Sequence, residues 1–306
     1  CSVATTEAKH MPEVAGALPE GITLVVINCG PSSQDKGSQT KANNGGVEPA
    51  KVFKLAMRAF HAEVAILPKT AVVFLVSEPF SNTKGTLSRL IPERRSACCV
   101  FSPGGKDAAV VWGSKQLGRT SPELVFSLGP PRSMYGLDPA QCLTRHNALL
   151  SRLAVAELQL PLPPEVSPAP GICRKSLFLC YHGPSTGAAK ADKVGWARDL
   201  FDLAWALATR VGAPIAVGGD FNLNAAGVEE EEGWRGLAAV PSGAVFEEAE
   251  YVPSGRVRAR EKKIDWLFLL SPRGCTYCLR PCTAVRVLDP AEPHRRGPPE
   301  AEEHAE

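Results

Sequence analysis

Polar side chains stand at the ends of several apolar segments in this chain of 306 residues. Asn28, Glu78 and His182 each end such a segment, and Asp220 and Asn222 follow another. Carboxylate and amide oxygens are the donors that a hard divalent cation prefers. Strand ends that meet at one edge of a sheet hold such groups rigidly, while the loops there admit a substrate. The pattern therefore predicts a functional site at a sheet edge.

Asp265 is the clearest acidic residue inside an apolar segment, where it lies between Ile264 and Trp266. A carboxylate in that position is costly to bury unless it is paired or bound to a metal ion. Two interpretations stay open for this residue on its own. It is either a member of the site or the ion-pair partner of Lys262, Lys263 or a nearby arginine.

The elements that carry these residues follow from the hydropathy pattern. Near-continuous apolar runs predict strands that are buried on both faces, and apolar residues at helical spacing predict helices. Residues 145–160 fit either a helix or a strand. We predict an α/β fold, a four-layer sandwich of two packed sheets flanked by helices. The predicted strands are residues 21–28, 71–76, 97–101, 107–112, 176–181, 215–220 and 263–270, and the predicted helices are 51–66 and 194–210.

A single domain is predicted over residues 21–290, because no evident linker divides it. Residues 1–20 are small and polar and are expected to form a loose leader. Residues 291–306 are rich in Pro, Glu, Arg and His and are expected to form a disordered tail. No apolar run approaches the ~18 residues that span a bilayer. We expect a monomer without a membrane span.

The charge balance is nearly neutral, with 34 Lys and Arg against 32 Asp and Glu and a net charge of +2. This balance does not by itself indicate nucleic-acid binding. One stretch, residues 256–263, has alternating basic side chains. It either lines a phosphate backbone or forms a solvated hairpin edge that resists aggregation.

Ten cysteines are present. Cys275, Cys278 and Cys282 lack a nearby fourth zinc ligand in the sequence, so reduced thiols are the simpler interpretation. Cys180 lies in an apolar segment and is expected to be a small buried hydrophobe. Reduced thiols favour an intracellular setting, and nothing else in the sequence indicates a compartment.

Two motifs resemble a known family. GGDFN at residues 218–222 resembles the G-D-[FW]-N signature of the endonuclease/exonuclease/phosphatase superfamily, whose members include deoxyribonuclease-I-like and apurinic-endonuclease-like domains. KIDWLF at residues 263–268 is similar to its [RK]-I-D-[YW]-[IF] strand. Glu78 is similar to the metal-binding Glu of the family, with Ser77 in place of the usual Gln, and Asn28 to its first-strand Asn. The elements follow the order of the family over residues 21–290.

The resemblance implies a metal-dependent hydrolase of phosphate esters. It implies that Glu78 and Asn28 hold Mg²⁺ or Mn²⁺. It also implies that Asp220 orients or deprotonates the attacking water, while Asn222 donates a hydrogen bond to the phosphate as charge develops. Asp265 would support a catalytic histidine or a metal-bound water.

The segment LFLCYHGP at residues 177–184 resembles the strand that carries the phosphate-contacting histidine of the deoxyribonuclease-like branch. The resemblance implies that His182 contacts the phosphate or protonates the leaving group. The neighbouring Tyr181 is the substitute for that role.

The closing S-D-H motif of the family is altered. Its expected position falls on Leu288, Asp289 and Pro290, so Asp289 matches the Asp and Pro290 replaces the His. His294 follows a few residues later, and its proline-rich surroundings make a shifted loop strained. The simpler interpretation of His294 is a tail residue, the alternative being a phosphate-binding role. Loss of one member of a catalytic unit often removes most of the rate, so activity is expected to be impaired.

Three functions are compatible with these residues. The leading hypothesis is a divalent-metal-dependent phosphodiesterase, an endonuclease-like or exonuclease-like hydrolase of nucleic acid. The second is a phosphatase or diesterase of a small phosphorylated molecule or lipid headgroup. The third is a catalytically inactive binding domain, which the replacement by Pro290 favours. The retained site residues favour an enzyme, because a chain free of catalytic selection would be expected to lose them; these residues are Glu78, His182, Asp220, Asn222 and Asp265.

Overall fold

The computed structural model describes residues 2–10, 22–28, 71–78, 97–103, 107–113, 128–159, 175–184, 188–229, 233–249, 265–275, 277–281 and 286–287. Within these residues the chain forms two β-sheets and three α-helices. The sheets gather strands that are far apart in the sequence, so the fold depends on long-range pairing.

The first sheet contains seven strands. Their order across the sheet is β11-β1-β2-β3-β5-β4, and β12 pairs with β1. β2 and β3 run parallel with Asn28 opposite Ser77, so their carboxyl ends lie side by side. The strands are β1 (Ser2–His10), β2 (Ile22–Asn28), β3 (Ala71–Ser77), β4 (Ala97–Phe101), β5 (Ala108–Gly113), β11 (Tyr277–Pro281) and β12 (Arg286–Val287).

The second sheet contains five strands in the order β6-β7-β8-β10-β9. β7 and β8 run parallel with His182 opposite Asp220. β10 runs antiparallel to β8, which places Asp265, its first residue, opposite Asp220. The strands are β6 (Leu153–Gln159), β7 (Lys175–His182), β8 (Ile215–Asp220), β9 (Val245–Glu248) and β10 (Asp265–Ser271).

The two sheets pack face to face around an apolar core. On this inner face the second sheet carries small residues such as Cys180 and Ala216, which meet larger side chains such as Leu24 and Leu75 of the first sheet. Gly218 is part of this fit, since a Cβ there would lie 2.7 Å from the Leu75 side chain. Small residues therefore let the sheets approach closely, and Cys180 is buried as predicted.

Three helices accompany the second sheet: α1 (Pro139–Ser151), α2 (Lys190–Val211) and the short α3 (Gly233–Leu237). Apolar residues of α2 pack with the outer side chains of β7, β8 and β10 in a second core. Phe201 is at its centre and contacts the rings of Phe221 and Phe268. α2 ends at Gly212, whose φ of +66° suits glycine at a helix end.

The α/β sandwich of two packed sheets with flanking helices is confirmed. The strands predicted within the described residues are present, with ends shifted by one or two residues. The ambiguous segment 145–160 contains both types, the end of α1 followed by β6. The helix predicted for residues 194–210 extends over Lys190–Val211. No described helix is long and apolar enough to cross a bilayer.

The prediction of a loose leader was wrong for Ser2–His10, which form β1. This strand pairs antiparallel with β2 and with β11. Its sequence has no apolar run, so local hydropathy did not indicate a strand, and the pairing with two neighbours forms it. The predicted helix at residues 51–66 and the predicted tail at residues 291–306 lie outside the described residues.

Candidate active site

Five of the sequence-predicted site residues lie at one edge of the sandwich. Asn28 ends β2, Glu78 follows β3 and His182 ends β7. Asp220 ends β8, and Asp265 begins the antiparallel neighbour β10. Parallel strands bring their carboxyl ends to a single edge, and an antiparallel strand brings its start there. Topology therefore groups these residues within each sheet, and the packing of the two sheets brings the two groups together.

Asp220 is buried and held at three points. Asn28 Nδ2 donates to Asp220 Oδ2 at 2.7 Å. The backbone N–H of Asn222 donates to Asp220 Oδ1 at 2.7 Å, and the backbone N–H of Asp220 itself donates to Ser77 Oγ at 2.9 Å. Only 4% of Asp220 is exposed. Hydrogen bonds from both sheets therefore fix its carboxylate.

The pKa of Asp220 is raised to about 7. Burial is the main cause, and the negative charge of Asp265 adds to it, whereas His182 opposes it. A carboxyl group with a pKa near neutral pH is suited to accept a proton from water. Asp220 thus has the acid–base properties that a general base requires.

His182 lies between two carboxylates. Its Nδ1 is 3.2 Å from Asp107 Oδ1, and its Nε2 is 3.4 Å from Glu78 Oε1. Burial, the largest single effect, lowers the pKa of His182, but the hydrogen bond to Asp107 and the charges of Glu78 and Asp220 outweigh it and raise the pKa. These contacts therefore favour the protonated form of the imidazole.

Glu78 has a backbone conformation that is uncommon for a residue with a side chain, with φ of +52°. Its backbone N–H donates to the Asp107 carbonyl at 2.9 Å, which ties the end of β3 to the turn before β5. Burial raises the pKa of the Glu78 carboxyl, and the charges of Asp107 and Asp265 add to this effect, while His182 lowers it. The Glu78 carboxylate thus belongs to a residue with uncommon backbone geometry and lies 3.4 Å from His182 Nε2.

Hydrogen bonds join the loop after β7 to the end of β8 and the loop that follows it. The Gly183 N–H donates to the Asp220 carbonyl at 2.6 Å, and Asn222 Nδ2 donates to the Gly183 carbonyl at 3.2 Å. A Cβ at Gly183 would lie 2.5 Å from the Phe221 carbonyl oxygen, so glycine is required for this approach. Arg152 Nη1 donates to the carbonyls of both His182 and Gly183 at 3.1 Å. His182 and Asn222 are thereby held in one rigid unit.

Asp265 acts on the site through its charge. It lies opposite Asp220 in the β8–β10 pair and raises the pKa of both Asp220 and Glu78. The next residue, Trp266, is 1% exposed, and its Nε1 donates to the Leu223 carbonyl at 2.7 Å. This bond anchors the start of β10 to the loop after β8 and so fixes the position of Asp265.

Tyr181 does not line the site, so the phosphate-binding role suggested for it was wrong. Its ring packs edge-on against Phe221 in the core beneath the helices, and 1% of the residue is exposed. Burial raises the pKa of its phenol above the ordinary range. Successive side chains of a strand point to opposite faces. With His182 at the site, Tyr181 necessarily faces the other way.

Two other predicted members, Asp289 and His294, lie outside the described residues, as does Pro290. The basic stretch of residues 256–263 lies outside them as well.

Three residues at the site were missed by the sequence analysis. Ser77 is fully buried and contacts Asp220, Asp107 contacts His182, and Arg152 holds the loop after β7. Asp107 had a weak signal, since it is the first residue of a predicted strand. For Ser77 and Arg152 the sequence has no signal, because their partners are far away along the chain.

The donors at this edge suit a divalent cation. Mg²⁺ binds through one or two carboxylates and keeps several waters, and Glu78 with the amide oxygen of Asn28 offers such ligands. The raised pKa of Glu78 and of Asp220 reflects burial together with the charge of Asp265, and a bound cation would neutralise that surplus. In the part of the chain that is described, no three His, Cys, Asp or Glu side chains form a ready-made metal cluster.

The chain matches no protein-family model and no curated protein sequence. It is similar in structure to D. rerio TDP2 complexed with a single-strand DNA product, with 13% identity, a TM-score of 0.45 and coverage of 83% of this chain and 85% of that one. ANGEL2, a 2',3'-cyclic phosphatase in complex with adenosine-2',3'-vanadate, has 13% identity and a TM-score of 0.47 over 80% of this chain and 83% of that one. An endonuclease/exonuclease/phosphatase family protein from Bacteroides thetaiotaomicron has 14% identity and a TM-score of 0.46 over 82% and 83% of the two chains.

Proposed function

We propose that the chain is a divalent-metal-dependent phosphodiesterase that hydrolyses nucleic acid. One observation carries this proposal: a buried carboxylate, Asp220, and an imidazole held between carboxylates, His182, end neighbouring parallel strands. A base and an acid side by side are what hydrolysis of a phosphate ester requires.

Asp220 is the proton acceptor in this proposal. Its pKa of about 7 leaves a well-populated carboxylate near neutral pH that is basic enough to take a proton from water. Asn28 and Asn222 hold the two carboxylate oxygens, so the base has one orientation. A base that is already oriented pays little entropic cost to reach the reactive geometry, and this lowers the barrier.

His182 is the cationic partner of the phosphate. Its raised pKa favours the protonated imidazole, which can donate to a phosphate oxygen or to the leaving oxygen. Asp107 holds Nδ1, and Nε2, which lies 3.4 Å from Glu78 Oε1, is the nitrogen that would contact the substrate once Glu78 binds the cation. Asn222 uses one amide hydrogen on the Gly183 carbonyl, and its second one is directed to the phosphate.

Glu78 and Asn28 would hold the cation. When bound, Mg²⁺ or Mn²⁺ would neutralise the charge of the phosphate oxygens. Asp265 contributes by keeping the pKa of Asp220 high, and Asp289 would take the position of the closing Asp in the motif of the family.

The test is nicking of supercoiled plasmid at low salt, with Mg²⁺ or with EDTA. We expect Mg²⁺-dependent nicking by the wild type and its loss in Asp220→Asn. Asp192→Asn is the matched control, because Asp192 is an exposed carboxylate in the first turn of α2 and takes no part in the contacts that hold Asp220 and His182. Nicking that survives EDTA, or equal rates in the two variants, would contradict the proposal.

A diesterase of a small phosphorylated molecule is the second candidate, and the nearly neutral net charge of +2 favours it. Bis(p-nitrophenyl) phosphate tests it in the same samples. Nucleic-acid binding weakens steeply as salt rises, whereas hydrolysis of a small diester depends on salt much less. Cleavage of the small diester together with intact plasmid would replace the nuclease proposal by this one.

A further inference from the structure

Ser77 joins the two sheets at the site. It is the last residue of β3 in the first sheet, it is fully buried, and the next residue is Glu78. Its hydroxyl contacts residues of β7 and β8, two adjacent strands of the second sheet. We propose that Ser77 is a positioning residue for the Asp220 carboxylate, an inference that rests on the proposed function.

Two hydrogen bonds make this connection. Ser77 Oγ accepts the backbone N–H of Asp220 at 2.9 Å and donates to the Tyr181 carbonyl at 3.3 Å. One hydroxyl group thereby uses both its acceptor and its donor capacity on neighbouring parallel strands. Both partners belong to residues at the site edge, since Tyr181 immediately precedes His182.

Gly219 leaves the space for this contact. It has φ of +132°, and a Cβ there would lie 2.1 Å from the Tyr181 carbonyl oxygen and 2.9 Å from Ser77 Oγ. The backbone between Gly218 and Asp220 therefore approaches Ser77 as closely as glycine allows. The hydroxyl fills the gap and is the group of the first sheet that receives the Asp220 N–H.

Asn28 completes the arrangement from the same sheet. It lies opposite Ser77 in the β2–β3 pair, and it binds Asp220 Oδ2 while Ser77 binds the Asp220 backbone. Ser77 and Asn28, at adjacent positions of the first sheet, thus bind the main chain and the side chain of Asp220. Without the hydroxyl, the Asp220 N–H loses its acceptor in the first sheet, and we expect the carboxylate to shift relative to Asn28 and to the substrate.

The experiment measures initial rates of plasmid nicking against plasmid concentration for Ser77→Ala and Ser77→Cys. Ser271→Ala is the matched control: Ser271 is also a fully buried serine at a strand end, and its hydroxyl has no hydrogen-bond partner within the described residues. Near-UV circular dichroism and thermal melts show whether each variant is folded. Ser77→Cys keeps a side chain of similar shape with a weak donor, so it remains informative if Ser77→Ala does not fold.

We expect kcat of Ser77→Ala to fall on the order of 10- to 100-fold with little change in KM, because misplacing a catalytic group costs rate without costing substrate binding. Ser77→Cys is expected to lie between Ser77→Ala and the wild type, and Ser271→Ala to match the wild type. Folded Ser77 variants with wild-type kcat, or a loss that appears only in KM, would overturn the positioning role and leave the proposed function intact. An inactive wild type would overturn both.

Discussion

Asn28 donates a 2.7 Å hydrogen bond to Asp220 from the other sheet, across 192 positions of the sequence. The bond orients the carboxylate and stabilises its charged form. It also leaves the Asn28 amide engaged with Asp220, so Asn28 serves the base directly as well as offering an oxygen to a cation. The two sheets therefore depend on each other for the geometry of the candidate base.

Replacement of Asn28 tests this dependence. In Asn28→Ala, the Asp220 carboxylate loses one of the two hydrogen bonds to its oxygens, and the bond from the Asn222 N–H remains. We expect kcat to fall on the order of 10- to 100-fold. In Asn28→Asp, a second carboxylate would face Asp220, and like charges raise the pKa further. The rate of Asn28→Asp at pH 7 should then be lower still. Equal rates in wild type and Asn28→Ala would show that the bond has no catalytic role.

The pH profile of kcat is expected to rise through about pH 7, because the proposed base is active only after Asp220 loses its proton. Asp265→Asn removes a negative charge that raises this pKa, so the acidic limb should move to lower pH. The measurement is kcat from pH 5 to pH 9 at a fixed Mg²⁺ concentration. A limb that stays in place, or moves to higher pH, would exclude Asp220 as the group that titrates.

The Tyr181→Phe variant distinguishes the role of Tyr181 from that of its neighbour His182 in β7. The Tyr181 hydroxyl is buried without a hydrogen-bond partner in the described residues, and it lies on the core side of the sheet. We expect nicking within about 2-fold of wild type and unchanged or slightly higher thermal stability, since no hydrogen bond is lost.

His182→Ala is the comparison for this variant and should lose activity, because it removes the imidazole between Glu78 and Asp107. If Tyr181→Phe were as inactive as His182→Ala, Tyr181 would have a role in activity after all.

The sequence determined the local part of the site. Each of Asn28, Glu78, His182 and Asp220 ends or directly follows an apolar segment, and the length and pattern of those segments specify strands. Buried strands place their terminal residues at a sheet edge, so hydropathy and the GGDFN motif together located the candidate base. An acidic residue at the start of an apolar strand is visible in the sequence in the same way, as at Asp265, whose Oδ1 atom is buried.

The partners of these residues depend on the tertiary structure. Ser77 and Asp107 are selected by register between strands and by the packing of one sheet on the other, which depend on contacts between distant positions. The same is true of the face that Tyr181 occupies, because alternation along β7 gives two equivalent choices until the helices cover one of them. Likewise, β1 exists because β2 and β11 supply hydrogen-bond partners, and its own residues contain no apolar run that would indicate it.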